Sequence, residues 1–311
     1  MNIRIRKDWQ INESEATPES IYLNRRKFIQ AAGFLGAQGL AVQSLLAAQD
    51  GYAATRNPEF TLDRPMTDER VSTGYNNFYE LHPYDKEQTQ FMASKYVVDP
   101  WTIEVTGLIN KPKTYDLDDL RKRMPMEERL YRFRCVERWA MAVPWTGFLM
   151  SALIKEVDPK PEAKYIRFVS VNRPDQLPGM KMAPSYPWPY HEGLRMDEAM
   201  NPLTMFVTGM YGKALPKQNG APFRVITPWK YGYKSPKAIV KIEFTAKEPP
   251  TLWNKLNARE YGFYSNVNPS VPHPRWSQSY DIMIPTGERK KTLLYNGYEN
   301  YVASMYNGKE H

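Results

Sequence analysis

The sequence predicts an α+β fold in which mixed sheets of short strands dominate. Short runs rich in Val, Ile, Phe and Thr recur along the chain, and Gly or Pro ends many of them, a pattern typical of strands. Only two stretches have the apolar spacing that a surface helix needs. Strand and helix patterns do not alternate regularly, so the sequence argues against a doubly wound parallel sheet.

The first predicted elements lie between residues 101 and 157. Strands are predicted at residues 101–107 and 131–135, where β-branched and aromatic residues are concentrated. A helix is predicted over residues 117–124, and the Asp116 carboxylate is placed to cap its first amide groups. A second helix is predicted over residues 147–157, because its apolar side chains fall on one face.

The rest of the chain predicts further strands and one long loop. The same composition predicts strands at residues 165–172, 204–210, 223–227 and 238–245. Residues 173–189 contain five prolines and little apolar pattern. They therefore predict a long loop, and loops of that length are often functional.

Residues 1–54 have the order of an export signal. Arg25 and Arg26 precede a modestly apolar run from Phe34 to Leu46, and small residues follow. The run is too short and too polar for a membrane anchor, which needs about 20 mostly apolar residues. The arginine pair with Phe28 resembles the twin-arginine signal, which exports folded proteins. We predict that residues 1–54 are cleaved and that residues 55–311 form a single periplasmic domain. The alternative is a basic surface helix.

Composition argues against several function classes. The net charge of +8 at pH 7 is modest and scattered, so the sequence does not indicate nucleic-acid binding. The four histidines show no paired spacing, which leaves a zinc site poorly supported. The sequence has no Gly-x-Ser-x-Gly elbow, no Walker loop and no dinucleotide fingerprint.

Cys135 is the only cysteine of the chain, and an exported protein normally pairs its cysteines as disulfides. Arg132, Arg134 and Arg138 lie close to it in sequence, and nearby guanidinium groups lower the pKa of a thiol. We therefore predict a thiolate that acts as a soft-metal ligand or a nucleophile. The alternative is a buried cysteine that packs as a small apolar residue. A metal held through one protein ligand requires a cofactor that supplies the others.

Five sequence blocks carry a resemblance to a known family. The run at residues 131–147, YRFRCVERWAMAVPWTG, resembles the metal-binding stretch of the sulfite-oxidase family of molybdenum enzymes. The other blocks, in the same order as in the family, are GYNNFYE (74–80), HEGLRMDEAM (191–200), YGKALPKQNGAPFRVITPWKYGYKS (211–235) and EYGFYSNVNPSVPHPRWSQ (260–278). The resemblance covers most of residues 62–306 and is strongest to members that reduce methionine sulfoxide in periplasmic proteins. It implies a sulfite-oxidase-like molybdopterin-binding fold.

The resemblance also implies a molybdenum–molybdopterin cofactor with one pterin and no nucleotide. Its dithiolene would give two sulfurs to the metal, and Cys135 would give the third. Ser170 stands where close relatives carry threonine, so the hydroxyl is retained. The terminal phosphate of the pterin favours a guanidinium and an ammonium group, which Arg224 and Lys237 offer. The implied cofactor contacts are Asn76, Tyr79, Glu80, Ser170, Asn219, Arg224, Ser235, Pro236 and Lys237.

Glu137 is the informative departure from the sulfite oxidases, which usually carry a small residue, glycine, asparagine and arginine after the metal cysteine. A carboxylate two residues from the ligand would repel the sulfite dianion but not a neutral sulfoxide. The same group could act catalytically by delivering protons to the departing oxygen. The alternative is that Glu137 pairs with a nearby arginine and only shapes the loop.

The resemblance implies a reductase that removes oxygen from methionine sulfoxide residues of oxidised periplasmic proteins. The sequence has no haem or iron–sulfur motif, so we expect a haem-containing integral-membrane subunit to supply electrons. A substrate carried on another protein predicts a metal in a shallow, open, aromatic-lined depression. Two alternatives remain: a molybdenum oxidoreductase of the same fold that reduces small S- or N-oxides, and a cofactor-free periplasmic binding protein.

Overall fold

Two sheets dominate the part of the chain that the computed structural model describes, which comprises residues 52 and 54–307. The chain divides into the units Met1–Gln49 and Asp50–His311, and every element below belongs to the second. The predicted twin-arginine segment with Arg25 and Arg26 lies outside the described residues and stays a prediction, as does the domain boundary at residue 54. Within residues 54–307, no helix is both long and apolar enough to span a membrane.

The described strands and helices are short, as the sequence predicts. The strands are β1 (Thr102–Gly107), β2 (Lys113–Asp116), β3 (Glu127–Arg134), β4 (Trp139–Leu149), β5 (Tyr165–Ser170), β6 (His191–Arg195), β7 (Met205–Met210), β8 (Lys213–Ala214), β9 (Arg224–Ile226), β10 (Ile239–Thr245), β11 (Tyr280–Met283) and β12 (Arg289–Lys291). The helices are α1 (Glu69–Gly74), α2 (Leu117–Arg123), α3 (Met150–Val157), α4 (Gly179–Met182), α5 (Met196–Met200), α6 (Leu252–Asn257) and α7 (Glu299–Val302).

Both sheets mix parallel and antiparallel pairs. The five-stranded sheet has the order β2-β1-β10-β5-β6, and only its β1–β10 pair is parallel. The seven-stranded sheet has the order β12-β11-β4-β7-β8, with β3 paired to β4 and β9 paired to β7. Its β4–β11 pair is parallel and the other pairs are antiparallel. The predicted α+β class is therefore confirmed.

Strand β4 organises the larger sheet and positions the segment around Cys135. Strand β3 pairs along almost the whole of β4, from Arg134 opposite Ala140 to Glu127 opposite Gly147. Every residue of β4 except the last is buried, which explains why it reads as an apolar run without alternation. Cys135 lies in the short connection between β3 and β4, so both ends of that connection are fixed by the strand pair.

Most predicted elements appear, and one helix boundary is wrong. Helix α2 begins after Asp116, whose carboxylate accepts hydrogen bonds from the amides of Asp118 and Asp119 at 3.0 and 3.1 Å. The predicted helix over residues 147–157 begins only at Met150, because the preceding residues end β4. A Cβ on Gly147 would lie 2.0 Å from the Phe206 carbonyl oxygen, so close pairing with β7 decides the local structure there.

The predicted loop at residues 173–189 contains one short helix, α4. Buried side chains form two hydrophobic clusters. One cluster packs the five-stranded sheet against α2 and α3. The other surrounds β3, β4 and β7 and includes Cys135. The candidate site therefore borders the core of the larger sheet.

Candidate active site

A cleft opens beside the start of β4, with an empty volume of about 950 Å³ including its mouth. Its walls come from several separate parts of the chain, including residues 72–80, 133–145 and 219–237. Aromatic rings form much of the lining, as the sequence predicts. These are Tyr75, Tyr79, Phe133, Trp139, Trp145, Tyr190, Tyr233, Trp253 and Tyr261.

Cys135 lines this cleft from a tight turn. The Arg138 amide donates to the Cys135 carbonyl at 2.9 Å, and the Cys135 amide donates to the Trp139 carbonyl at 2.9 Å. Arg138 has a φ of 79°, in the left-handed region that closes such a turn. The Cys135 Sγ lies 3.5 Å from the Asn77 amide nitrogen and 3.9 Å from the Glu137 carboxylate. The turn thus holds the thiol beside polar side chains.

The pKa of the Cys135 thiol is raised to about 12, because burial and the charge of Glu137 outweigh the opposing effects of the Glu137 amide, Arg134 and Lys86. The predicted lowering of this pKa by neighbouring arginines is wrong for the protein without a metal. The Arg134 guanidinium binds Asp281 at 2.7 Å and donates to the Cys135 carbonyl, so its charge opposes the rise in the thiol pKa without reversing it. A coordinated metal ion deprotonates a thiol outright, so this sulfur is suited to metal ligation rather than to free thiolate chemistry.

Glu137 is held by three donors that converge on its Oε2. Lys86 lies at 3.0 Å, Asn77 at 3.1 Å and the Trp139 indole at 3.2 Å. Burial raises the pKa of Glu137, but these hydrogen bonds and the Lys86 charge more than compensate and lower it. The carboxylate is therefore ionised near neutral pH, which disfavours a role as proton donor. Its partner is a lysine and not the arginine considered from the sequence.

Two cations, the buried Arg224 and the half-buried Lys237, lie elsewhere on the lining. Arg224 donates to the carbonyls of Asn219 at 2.7 Å and Ser235 at 3.4 Å, and burial lowers its pKa to about 9. Lys237 donates to the Asn77 carbonyl at 2.6 Å, and burial followed by the Arg224 charge lowers its pKa to about 7. Among the described residues, neither cation forms a salt bridge. Cations that face a cleft without a salt-bridge partner are suited to bind an anion such as phosphate.

Other polar side chains of the cleft lining are also available to contact a ligand. Asn219 donates to Asn76 Oδ1 and to the Ser72 carbonyl, both at 2.9 Å, while its own buried Oδ1 has no partner. Burial raises the pKa of Glu80 to about 7. The Tyr79 ring packs edge-on against Trp253 at 5.0 Å, and burial raises its pKa, so the hydroxyl stays protonated.

The cleft brings together all but one of the residues named from the sequence. Ser170 is the exception, because its hydroxyl donates to the Lys237 carbonyl at 2.6 Å and braces that segment from outside the lining. The residues that do line the cleft are Asn76, Tyr79, Glu80, Cys135, Glu137, Asn219, Arg224, Ser235, Pro236 and Lys237.

Sequence reasoning missed three partners of Glu137 and Cys135. Asn77 and Trp139 stand inside matched blocks, so their position was the available signal. Lys86 lies outside every block, and nothing in its sequence neighbourhood indicates a contact with Glu137. Tyr190 and Trp253 were missed for the same reason, since both lie outside the blocks.

Comparisons with known proteins point to one family. The family described as oxidoreductase molybdopterin binding domain matches residues 91–253. The protein-methionine-sulfoxide reductase catalytic subunit MsrP of Burkholderia mallei is 49% identical over 315 residues, covering 96% of this chain and 94% of that protein. The corresponding protein of Ralstonia nicotianae is 48% identical over 319 residues, covering 96% and 95%.

The chain belongs to the MsrP family of molybdopterin-binding oxidoreductases. The resemblance read from the sequence is thereby confirmed. Among solved structures, the sulfane dehydrogenase SoxCD of Paracoccus pantotrophus is similar to this MsrP-family chain with a TM-score of 0.42 and 18% identity, covering 62% of this chain and 45% of that one.

The cleft of this MsrP-family chain fits molybdopterin. Cys135 offers one sulfur for the metal, and in residues 54–307 no group of three acidic, histidine or cysteine side chains could hold a metal alone. Arg224 and Lys237 offer unpaired positive charge for the phosphate, and the Asn219 Oδ1 offers an acceptor for a ring N–H. When bound, the cofactor supplies a redox-active metal that exchanges an oxygen atom with a substrate.

Proposed function

We propose that this chain is the catalytic subunit of a protein-methionine-sulfoxide reductase. The reaction would remove oxygen from methionine sulfoxide residues in oxidised proteins, with molybdenum–molybdopterin as cofactor. The observation that carries this proposal is the identity of 48–49% to two relatives of that name over 96% of the chain. The buried Cys135 at an aromatic cleft with two uncompensated cations supports it.

Different side chains of the cleft would bind the metal, the pterin phosphate and the substrate. Cys135 would hold the metal, while Arg224 and Lys237 would hold the phosphate end of the pterin. The ionised Glu137 lies 3.9 Å from the sulfur, so it disfavours anionic substrates and admits a neutral sulfoxide. Aromatic rings at the cleft are suited to pack against a methionine side chain, because sulfur and methyl groups pack favourably on aromatic faces.

We further propose that the protein works in the periplasm after export in folded form, and that a haem-containing integral-membrane subunit donates its electrons. The words "catalytic subunit" in the names of the relatives support a second subunit. The sequence contains no haem-attachment or iron–sulfur motif, which supports an external electron donor. Fractionation of cells tests the periplasmic location. Copurification of this chain with a haem protein from detergent-solubilised membranes tests the electron donor.

Metal content and turnover test the activity itself. Enzyme purified from a host that makes molybdopterin should contain about one molybdenum per chain, and Cys135→Ser should fold but lose the metal. With a reduced dye as electron donor of two electrons per sulfoxide, the wild type should convert methionine sulfoxide residues of an oxidised protein to methionine residues, with the oxygen leaving as water. Stoichiometric molybdenum in Cys135→Ser would contradict the metal assignment. Turnover of small S- or N-oxides but of no oxidised protein would favour the alternative molybdenum oxidoreductase.

A further inference from the structure

A second cleft lies beside the Cys135 turn, and its lining contains none of the residues assigned above to the cofactor. Its empty volume is about 750 Å³ including its mouth, and the segment from Ala258 to Gln278 forms most of its lining. Val136 and Tyr233 line both clefts. The two spaces are therefore separated by a wall that these two side chains help to form, and one extended ligand could occupy both.

One buried donor in the second cleft has no hydrogen-bond acceptor. His273 accepts a hydrogen bond at Nδ1 from the Arg275 amide at 3.2 Å, so the proton of the neutral ring lies on Nε2. His273 is 6% exposed, and its Nε2 is buried without a hydrogen-bond partner. The closest carboxylate oxygen belongs to Glu260 at 3.4 Å, outside hydrogen-bond geometry, and Arg275 already binds that oxygen at 2.7 Å. A ligand carbonyl would satisfy this N–H.

The second cleft is connected to the metal-ligand turn by direct contacts. The His273 ring stacks on Trp276 with centroids 3.9 Å apart. The Trp276 indole and the Gln278 amide both donate to the Val136 carbonyl, at 2.9 and 2.8 Å. Val136 is adjacent to Cys135 in sequence. A ligand seated against His273 would therefore lie within two contacts of the turn that carries the thiol.

We propose that the second cleft is a subsite for the polypeptide that flanks the methionine sulfoxide residue, with His273 Nε2 donating to one of its backbone carbonyls. Residues of an extended chain advance about 3.3 Å each, and the two clefts share the lining residues Val136 and Tyr233, so residues that flank a sulfoxide in the first cleft can extend along this shared wall. Peptide carbonyls require such donors when they leave water. Val271, 38% exposed on the same lining, offers apolar surface for a flanking side chain.

This inference rests on the proposed function, and the experiment separates the two. The substrates are N-acetyl-methionine-sulfoxide methylamide and a capped alanine pentapeptide with methionine sulfoxide at its centre. Both carry the same neutral sulfoxide, and only the second has flanking residues. The readout is kcat/KM for the pentapeptide divided by kcat/KM for the single residue, measured on metal-loaded enzyme with a reduced dye.

Three variants sharpen the test. Val271→Asp places a charge on the rim, and Leu293→Asp is the matched control, since Leu293 is also 38% exposed but lines neither cleft. His273→Phe keeps a stacking ring and removes the donor. We expect Val271→Asp and His273→Phe to lower the ratio about three- to ten-fold, the effect of one lost hydrogen bond or contact. Leu293→Asp should leave the ratio unchanged.

Equal losses on both substrates, or a ratio unchanged in both cleft variants, would overturn the subsite. The subsite would also be overturned if the cleft variants turned over more slowly with the natural electron donor but normally with the reduced dye. That result would assign the second cleft to the electron-donor protein. If the wild type reduces neither of these substrates nor an oxidised protein, the proposed function fails. In that case, calorimetric titration of the loaded enzyme with the pentapeptide tests the subsite without turnover. Weaker pentapeptide binding in Val271→Asp, but not in Leu293→Asp, would support the subsite. The same pentapeptide affinity in the wild type and in both variants would refute it.

Discussion

Replacing Gly220 with alanine should displace Lys237 from the cleft. Gly220 has a φ of +96° and ends the helical turn at residues 217–219. An added Cβ would lie 2.5 Å from Lys237 Cγ, 2.6 Å from its Cβ and 2.9 Å from its Cδ. These atoms belong to the stem of the lysine, so rotation of the flexible end cannot relieve the clash. The backbone at residue 237 has to move, and the ammonium group moves with it.

The magnitude follows from two separable costs. A left-handed φ costs an L-residue about 1–2 kcal/mol, and overpacking of a filled site typically costs about 1–3 kcal/mol. Gly220→Ala should therefore lower the free energy of unfolding by about 2–5 kcal/mol. Gly287→Ala is the matched control, because Gly287 has a φ of +70° and an added Cβ would meet nothing within 4 Å. Its free energy of unfolding should fall only by the cost of the left-handed φ, about 1–2 kcal/mol.

Urea unfolding of cofactor-free protein measures both losses, and pterin content measures the effect on the site. The two variants should differ by about 1–3 kcal/mol, or roughly 2–4 °C in Tm per kcal/mol for a domain of this size. Pterin content should fall in Gly220→Ala and stay at the wild-type level in Gly287→Ala. Equal destabilisation of the two variants, or full pterin content in Gly220→Ala, would refute the reasoning that Gly220 is needed for the position of Lys237.

Three further perturbations test the electrostatics. Glu137→Gln removes a charge that raises the pKa of Cys135, so alkylation of the cofactor-free thiol should begin at lower pH than in the wild type. The pKa of Lys237 is about 7 in the folded chain against a usual 10.5, so the unfolded chain binds more protons between these values. Lys237 should therefore make the stability of cofactor-free protein rise with pH from about 7 to 10. Lys237→Met should weaken that rise in urea unfolding, most clearly between pH 7 and 8, because Lys230, whose pKa burial lowers to about 8, contributes only above that range. Lys230 is fully buried and binds Glu198 at 2.5 Å, so Lys230→Met should cost about 3–5 kcal/mol, whereas an unchanged unfolding midpoint would contradict a charged pair.

The sequence predicted those features that depend on contiguous residues. Asp116 caps α2 as predicted, because a cap is formed by the next few amides. Residues 147–149 were misassigned, because their apolar spacing suits either a helix or a buried strand and only the pairing with β7 decides. The pKa of Cys135 was predicted in the wrong direction, because burial and the Glu137 charge raise it by more than Arg134, which also binds Asp281 147 positions away, lowers it. Sequence proximity of charges does not show how deeply the thiol between them is buried.

The same limit applies to the family match, which ends at residue 253, while the Cys135 turn is held by residues beyond it. The Val136 carbonyl accepts from Trp276 and Gln278, and Asp281 binds the fully buried Arg134, which in turn donates to the Cys135 carbonyl. Strand β11 also pairs with the first residues of β4. The position of the metal ligand therefore depends on the C-terminal segment, so the cleft is complete only when the chain has folded through β11. A cofactor held in this cleft would be bound by the folded chain rather than by an unfolded segment around Cys135.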